Sequence, residues 1–89
     1  MKKIKINVTK NDIKNGVKLH GGRCPIALAM RRKIKNFETV DRLEVVIGGK
    51  RLQTPPRIEE FIRKFDHNIK VNASSFFIEV PKRYLINDR

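Results

Sequence analysis

The chain opens with Lys3-Ile4-Lys5-Ile6-Asn7-Val8, where apolar and polar residues alternate. Side chains along a strand point alternately to its two faces, so this period predicts a half-buried strand with Ile4, Ile6 and Val8 turned inward and the bases outward. In Val8-Thr9-Lys10-Asn11-Asp12-Ile13, Thr9 stands where a helix N-cap would, Asp12 can answer it three residues on, and Val8 and Ile13 take the staple positions. A short helix closed by Gly16 is expected. Leu19 to Cys24 reads as a loop, and Pro25 fits the first position of a second helix. On a 3.6-residue period Ile26, Ala27, Ala29, Met30, Ile34 and Phe37 share one arc, with Arg31, Arg32 and Lys35 opposite. The pattern predicts a helix from Pro25 to Lys35, buried on one side and basic on the other.

Leu43-Glu44-Val45-Val46-Ile47 reads as a strand, Gly48-Gly49 as a two-residue hairpin turn and Lys50 to Thr54 as the returning strand. Pro55-Pro56 then opens a third helix, in which Ile58, Phe61, Ile62 and Phe65 follow the i, i+3, i+4, i+7 spacing. Glu59 and Glu60 lie early and Arg63 and Lys64 late in it, which suits the helix dipole. Ser75 to Val80 alternates again, with Phe77 pointing away from Phe76 and Ile78, and Pro81 ends that strand ahead of a polar Lys-Arg-Tyr tail. The order β-α-α-β-β-α-β predicts an α+β fold: a small, mostly antiparallel sheet with helices packed on one face. Its expected core is Ile4, Ile6, Ile26, Met30, Ile34, Val45, Ile47, Ile58, Phe61, Ile62, Phe65, Phe76 and Ile78.

At 89 residues, 1–89 reads as a single domain, because two cores would each need most of that length. No apolar run approaches the roughly 20 residues of a membrane helix, and the Met-Lys-Lys start is followed by alternation rather than a signal-peptide block. A soluble protein of the cytoplasm, with no membrane partner, is expected. Cys24 has no second cysteine, and with only His20 and His67 there is no ligand set for a closed zinc site, so neither disulfide, metal nor other cofactor is expected.

The net charge of +12 is unevenly placed. Eleven Lys or Arg stand against one acid, Asp12, up to Lys35; ten bases stand against eight acids beyond it. A field of that sign concentrates anions such as nucleotides, nucleic acid or acidic protein surfaces. The most pointed motif within it is His20-Gly21-Gly22-Arg23-Cys24-Pro25, leading into the helix that carries Arg31 and Arg32. A helix start exposes backbone N–H groups, glycines let a ligand approach the backbone, and Arg23 can fork onto phosphate oxygens. This reads as an anion cradle formed by His20, Gly21, Gly22, Arg23, Cys24, Arg31 and Arg32. It also reads as a plain turn in which Cys24 packs as a small hydrophobe. It is neither a P-loop nor a dinucleotide fingerprint, because no Gly-Lys-Ser/Thr follows and no strand directly precedes. The helix start and Arg23 should lower the Cys24 thiol pKa, but nothing supplies an orienting acid or an oxyanion hole. No catalytic residue is assigned, and a non-enzymatic protein is expected.

Residues 21 to 32 (Gly-Gly-Arg-Cys-Pro-Ile-Ala-Leu-Ala-Met-Arg-Arg), Pro56 to Asp66 and Ser75 to Pro81 resemble a family of small phage and prophage proteins. That family has a Cys-Pro-Ile/Val-Ala-Leu-Ala helix, a Phe-Ile-x-x-Phe-Asp helix and an aromatic terminal strand. The resemblance implies a phage setting in the host cell cytoplasm, where small proteins often counter bacterial defence by binding a host protein or sequestering a nucleotide signal. The expectation is a binding protein that sequesters a phosphate-bearing ligand, such as a nucleotide immune signal, at the Gly-Gly-Arg-Cys-Pro helix start. The alternatives are a basic nucleic-acid-binding module and an inhibitor docking on an acidic host protein; a homo-oligomer is compatible with each.

Overall fold

Alternation places β1 (Lys2–Val8) and β5 (Ser74–Val80) where expected, and they pair with each other, antiparallel, from Lys2↔Val80 to Val8↔Ser74. Ile4 and Ile6 lie opposite Ile78 and Phe76 on the core side; Lys5 lies opposite Phe77 on the other, leaving Phe77 52% exposed. The computed structural model describes residues 1–86. Between the paired strands lie α1 (Lys10–Asn15), α2 (Pro25–Arg31), β2 (Phe37–Val40), β3 (Glu44–Ile47), β4 (Lys50–Gln53) and α3 (Pro56–Asp66). A 3-10 turn (Lys82–Tyr84) follows β5.

The fold is α+β, and the described residues form two antiparallel sheets where the sequence pattern suggested one: the β1-β5 pair and a β2-β3-β4 meander. The additional strand, β2, begins at Phe37. The second helix stops at Arg31 instead of running to Lys35, so the apolar arc through Ile34 and Phe37 mimicked a helix that had already ended. Asn36 adopts a left-handed conformation (φ 57°), which a helix excludes. Ile34 instead forms a β-bridge with Leu85, flanked by hydrogen bonds from Lys35 N–H to Tyr84 O and from Ile86 N–H to Lys33 O. The segment after β5 is thereby tied to the end of α2, with Leu85 buried and Lys82 and Arg83 of the expected polar tail exposed. A bulge between Phe37 and Thr39 breaks the β2-β3 register, which hid the period-two signal in so short a strand.

The capping box at α1 is present in both directions: Thr9 N–H donates to Asp12 Oδ2 at 2.8 Å and Asp12 N–H to Thr9 Oγ1 at 3.1 Å. Gly16 does not use a positive φ. A Cβ there would fall 2.6 Å from the Pro25 ring, so glycine is what lets α1 and α2 close together. Eleven of the thirteen expected core residues are buried; Ile4 and Phe65 pack partly buried at its margin. Phe61 of α3 meets Phe76 of β5 edge to face at 5.5 Å, fixing that helix to the terminal sheet. No helix among the described residues is long and apolar enough to cross a membrane.

Candidate functional site

The loop between α1 and α2 is held at several points. Val17 N–H donates to Arg23 O, Arg23 and Cys24 N–H both donate to His20 O, and Val40 N–H of β2 reaches Gly21 O at 3.0 Å. Leu19, in the left-handed region (φ 56°), donates its N–H to Asp66 Oδ1 of α3. Gly21 has a local reason to be glycine, since a Cβ would collide with Thr39 and approach Val40 O. Gly22 has no such crowding; its nearest neighbour is the His20 ring at 3.5 Å. The loop thus lies against β2 and presents His20 outward.

At the start of α2, Pro25 has no N–H to offer an anion and the Ala27 amide is already engaged. Cys24 is the N-cap, its Sγ accepting from Ala27 N–H at 3.4 Å, and its side chain is buried. Burial pushes the thiol pKa up, outweighing the opposing amide hydrogen bonds, whereas the sequence suggested a lowered value. The helix start is therefore capped by the protein itself, and Cys24 is the small hydrophobe of the alternative reading.

Arg31 and Arg32 diverge by about 100° on the helix and meet different fates. Arg32 forks onto Asp12, with both contacts at 2.7 Å, and its second amine also donates to Asn7 O at 2.9 Å. Asp12 is buried, and the Arg32 hydrogen bond holds its carboxyl below the ordinary carboxylate range against the cost of desolvation. Arg32 is thus the tie between α1, β1 and the end of α2. Arg31 instead lies over the Phe37 ring at 5.2 Å. Among the described residues, neither Arg31 nor Arg23 pairs with a carboxylate.

These two arginines border one recess of about 570 Å³, with His20, Gly22 and Asn15 on its walls and Val17 and Leu28 adding apolar surface. Gly21 and Cys24 line a separate groove across the loop, and Arg32 lines neither hollow. The seven expected ligand residues are therefore dispersed, and four of them (His20, Gly22, Arg23 and Arg31) meet at the basic recess. No family model matches the chain, and no curated protein or solved structure matches it either. Asn15, Val17 and Leu28 had no sequence signal as site residues, because only the close approach of α1 to α2 at Gly16 and Pro25 brings them to the loop. Among the described residues no group of three His, Cys, Asp or Glu could hold a metal ion, and no buried side-chain polar atom lacks a hydrogen-bond partner.

Proposed function

We propose that the protein is a non-enzymatic binding protein that captures a phosphate-bearing ligand in the recess between Arg23 and Arg31. The observation that carries this reading is that these two guanidinium groups border one hollow without a carboxylate partner among the described residues. Guanidinium forks match phosphate oxygens, and His20 and Asn15 add hydrogen-bonding groups beside them. Val17 and Leu28 give a nucleobase or sugar an apolar surface, and a hollow of about 570 Å³ is of the size small ligands occupy. The site differs from the expected cradle: it uses side chains on either side of the loop and not the capped helix start. Sequestration of a nucleotide signal, in the phage setting the sequence resemblance implies, is the role proposed for it.

Long nucleic acid is the competing ligand, and the remaining bases before Lys35 favour it as a general field. Calorimetric titration with pyrophosphate, a mononucleotide, a cyclic dinucleotide and a twelve-nucleotide single strand, repeated over a range of salt, separates the two. The proposal expects a nucleotide to bind with a shallow salt dependence and to lose affinity in Arg23→Ala and Arg31→Ala. Oligonucleotide binding with a steep log–log slope, indifferent to those two substitutions, would overturn it.

A further inference from the structure

The groove on the other side of the loop has a different chemistry. Its volume is about 580 Å³, and it is walled by three elements: the α1–α2 loop, the end of β2 with the turn into β3, and α3. Buried Cys24, Val40 and Ile62 form its floor. Leu19 and Leu43 stand on its border, 81% and 78% exposed, the two most exposed large apolar residues described. Both are held there. Asp66 accepts from Leu19 N–H in a backbone conformation leucine rarely adopts, and Asp41 Oδ1 accepts from the N–H groups of Leu43 and Glu44, each at 2.8 Å.

In a chain of net charge +12, three of the nine carboxylates line this one groove: Asp41, Glu59 and Asp66. Arg42 is the only Lys or Arg among its lining residues, and it stands 3.8 Å from Glu59. The groove therefore combines exposed aliphatic surface with an excess of negative charge, opposite in sign to the rest of the molecule.

We infer that this groove is a docking site for a basic peptide segment of a partner protein, one that inserts a large apolar side chain between Leu19 and Leu43 and sets its Lys or Arg against Asp41, Glu59 and Asp66. Charge complementarity selects this occupant. An acidic segment would be repelled, and a second copy of this chain would have to bring its own +12 along with any basic segment it offered. An apolar anchor ringed by complementary charge is the usual arrangement of a peptide groove. The groove stands independently of the phosphate recess, from which the loop divides it.

The test uses the intact chain and a fluorescein-labelled, amidated nine-residue peptide with leucine at every third position and lysine between. Its controls carry glutamate in place of lysine, or serine in place of leucine. Fluorescence anisotropy is expected to show the basic apolar peptide binding at least tenfold more tightly than either control. Leu19→Ser and Leu43→Ser, which alter exposed side chains and should keep the native circular dichroism, are each expected to weaken it about fivefold or more. Glu59→Gln should weaken it less, and Arg23→Ala should leave it unchanged. Equal binding of the three peptides, or indifference to both leucine substitutions, overturns the assignment. Self-association of the chain that Leu43→Ser abolishes also overturns it, because the groove would then belong to a second copy.

Discussion

The two hollows beside the α1–α2 loop share His20 yet face opposite electrostatic worlds. One is bordered by Arg23 and Arg31 without carboxylate partners among the described residues; the other by Asp41, Glu59 and Asp66 beneath two exposed leucines. A total charge of +12 describes neither. A similar divergence separates two adjacent arginines: the fold neutralises Arg32, which borders neither hollow, with Asp12 and leaves Arg31, its neighbour in sequence, against an aromatic ring. A cation already satisfied by a buried carboxylate contributes to stability, and one without such a partner is free to meet a ligand.

The harshest way to break the contrast is to loosen the element that walls the acidic groove. Phe61 anchors α3 through Phe76, and Phe61→Ala should cost about 3 to 5 kcal/mol in chemical denaturation. A loss below about 1 kcal/mol would mean that α3 does not depend on this contact.

The next substitution tests the division of labour between the paired arginine and its neighbour. Arg32→Ala removes the fork on Asp12 and strands a buried carboxylate, so stability should fall by about 2 kcal/mol, less than for a fully buried pair because Arg32 is half exposed. Since the folded state holds the Asp12 pKa below its unfolded value, the ion pair's contribution is fully present above the unfolded value and is lost as pH falls through the lowered one. Acid titration of stability should therefore show a drop below the ordinary carboxylate range in the wild type, and a smaller one in Arg32→Ala. Arg31→Ala should behave oppositely, changing stability by under about 0.5 kcal/mol while lowering nucleotide affinity by about 1.5 kcal/mol, close to one decade. If the two variants are indistinguishable in both assays, the contrast between paired and unpaired arginine carries no functional meaning.

The mildest effect is expected at the thiol that caps α2. Ser is a good N-cap, so Cys24→Ser should shift the denaturation midpoint only slightly through the loss of a buried apolar contact, and leave nucleotide affinity intact. Burial and a raised pKa should make native Cys24 react slowly with iodoacetamide at neutral pH, at a rate that rises on unfolding. Rapid alkylation of the native chain would show that the floor of the acidic groove is more open than its burial indicates.

Where local chemistry decided the structure, it was legible in the chain. Thr9 and Asp12 cap α1 as their spacing suggested, Gly48-Gly49 turns the β3–β4 hairpin with both residues at positive φ, and the alternation around Phe77 placed it outside. The end of α2 was not legible, because Ile34 and Phe37 continue the helical arc while serving a bridge to Leu85 and a strand. Nor could the site be read in full. Arg31 and Arg32 look alike until Asp12, 20 positions away, claims one of them. The acidic groove left no trace in sequence, since Leu19, Leu43 and Asp66 come from three separate segments and meet only after folding.

The pairing of β1 with β5 bears on how the chain is made. Ser75 and Asn7, hydrogen-bonded across that ladder, are 68 positions apart. On a ribosome adding roughly 5 to 20 residues per second, β1 must therefore wait several seconds for β5, its strand partner among the described residues. During that interval Ile4, Ile6 and Val8 have no β5 beside them, and both edges of β1 are open to other chains. The lysines alternating with those apolar residues give the waiting segment a repulsive charge, a guard against aggregation before the sheet can close.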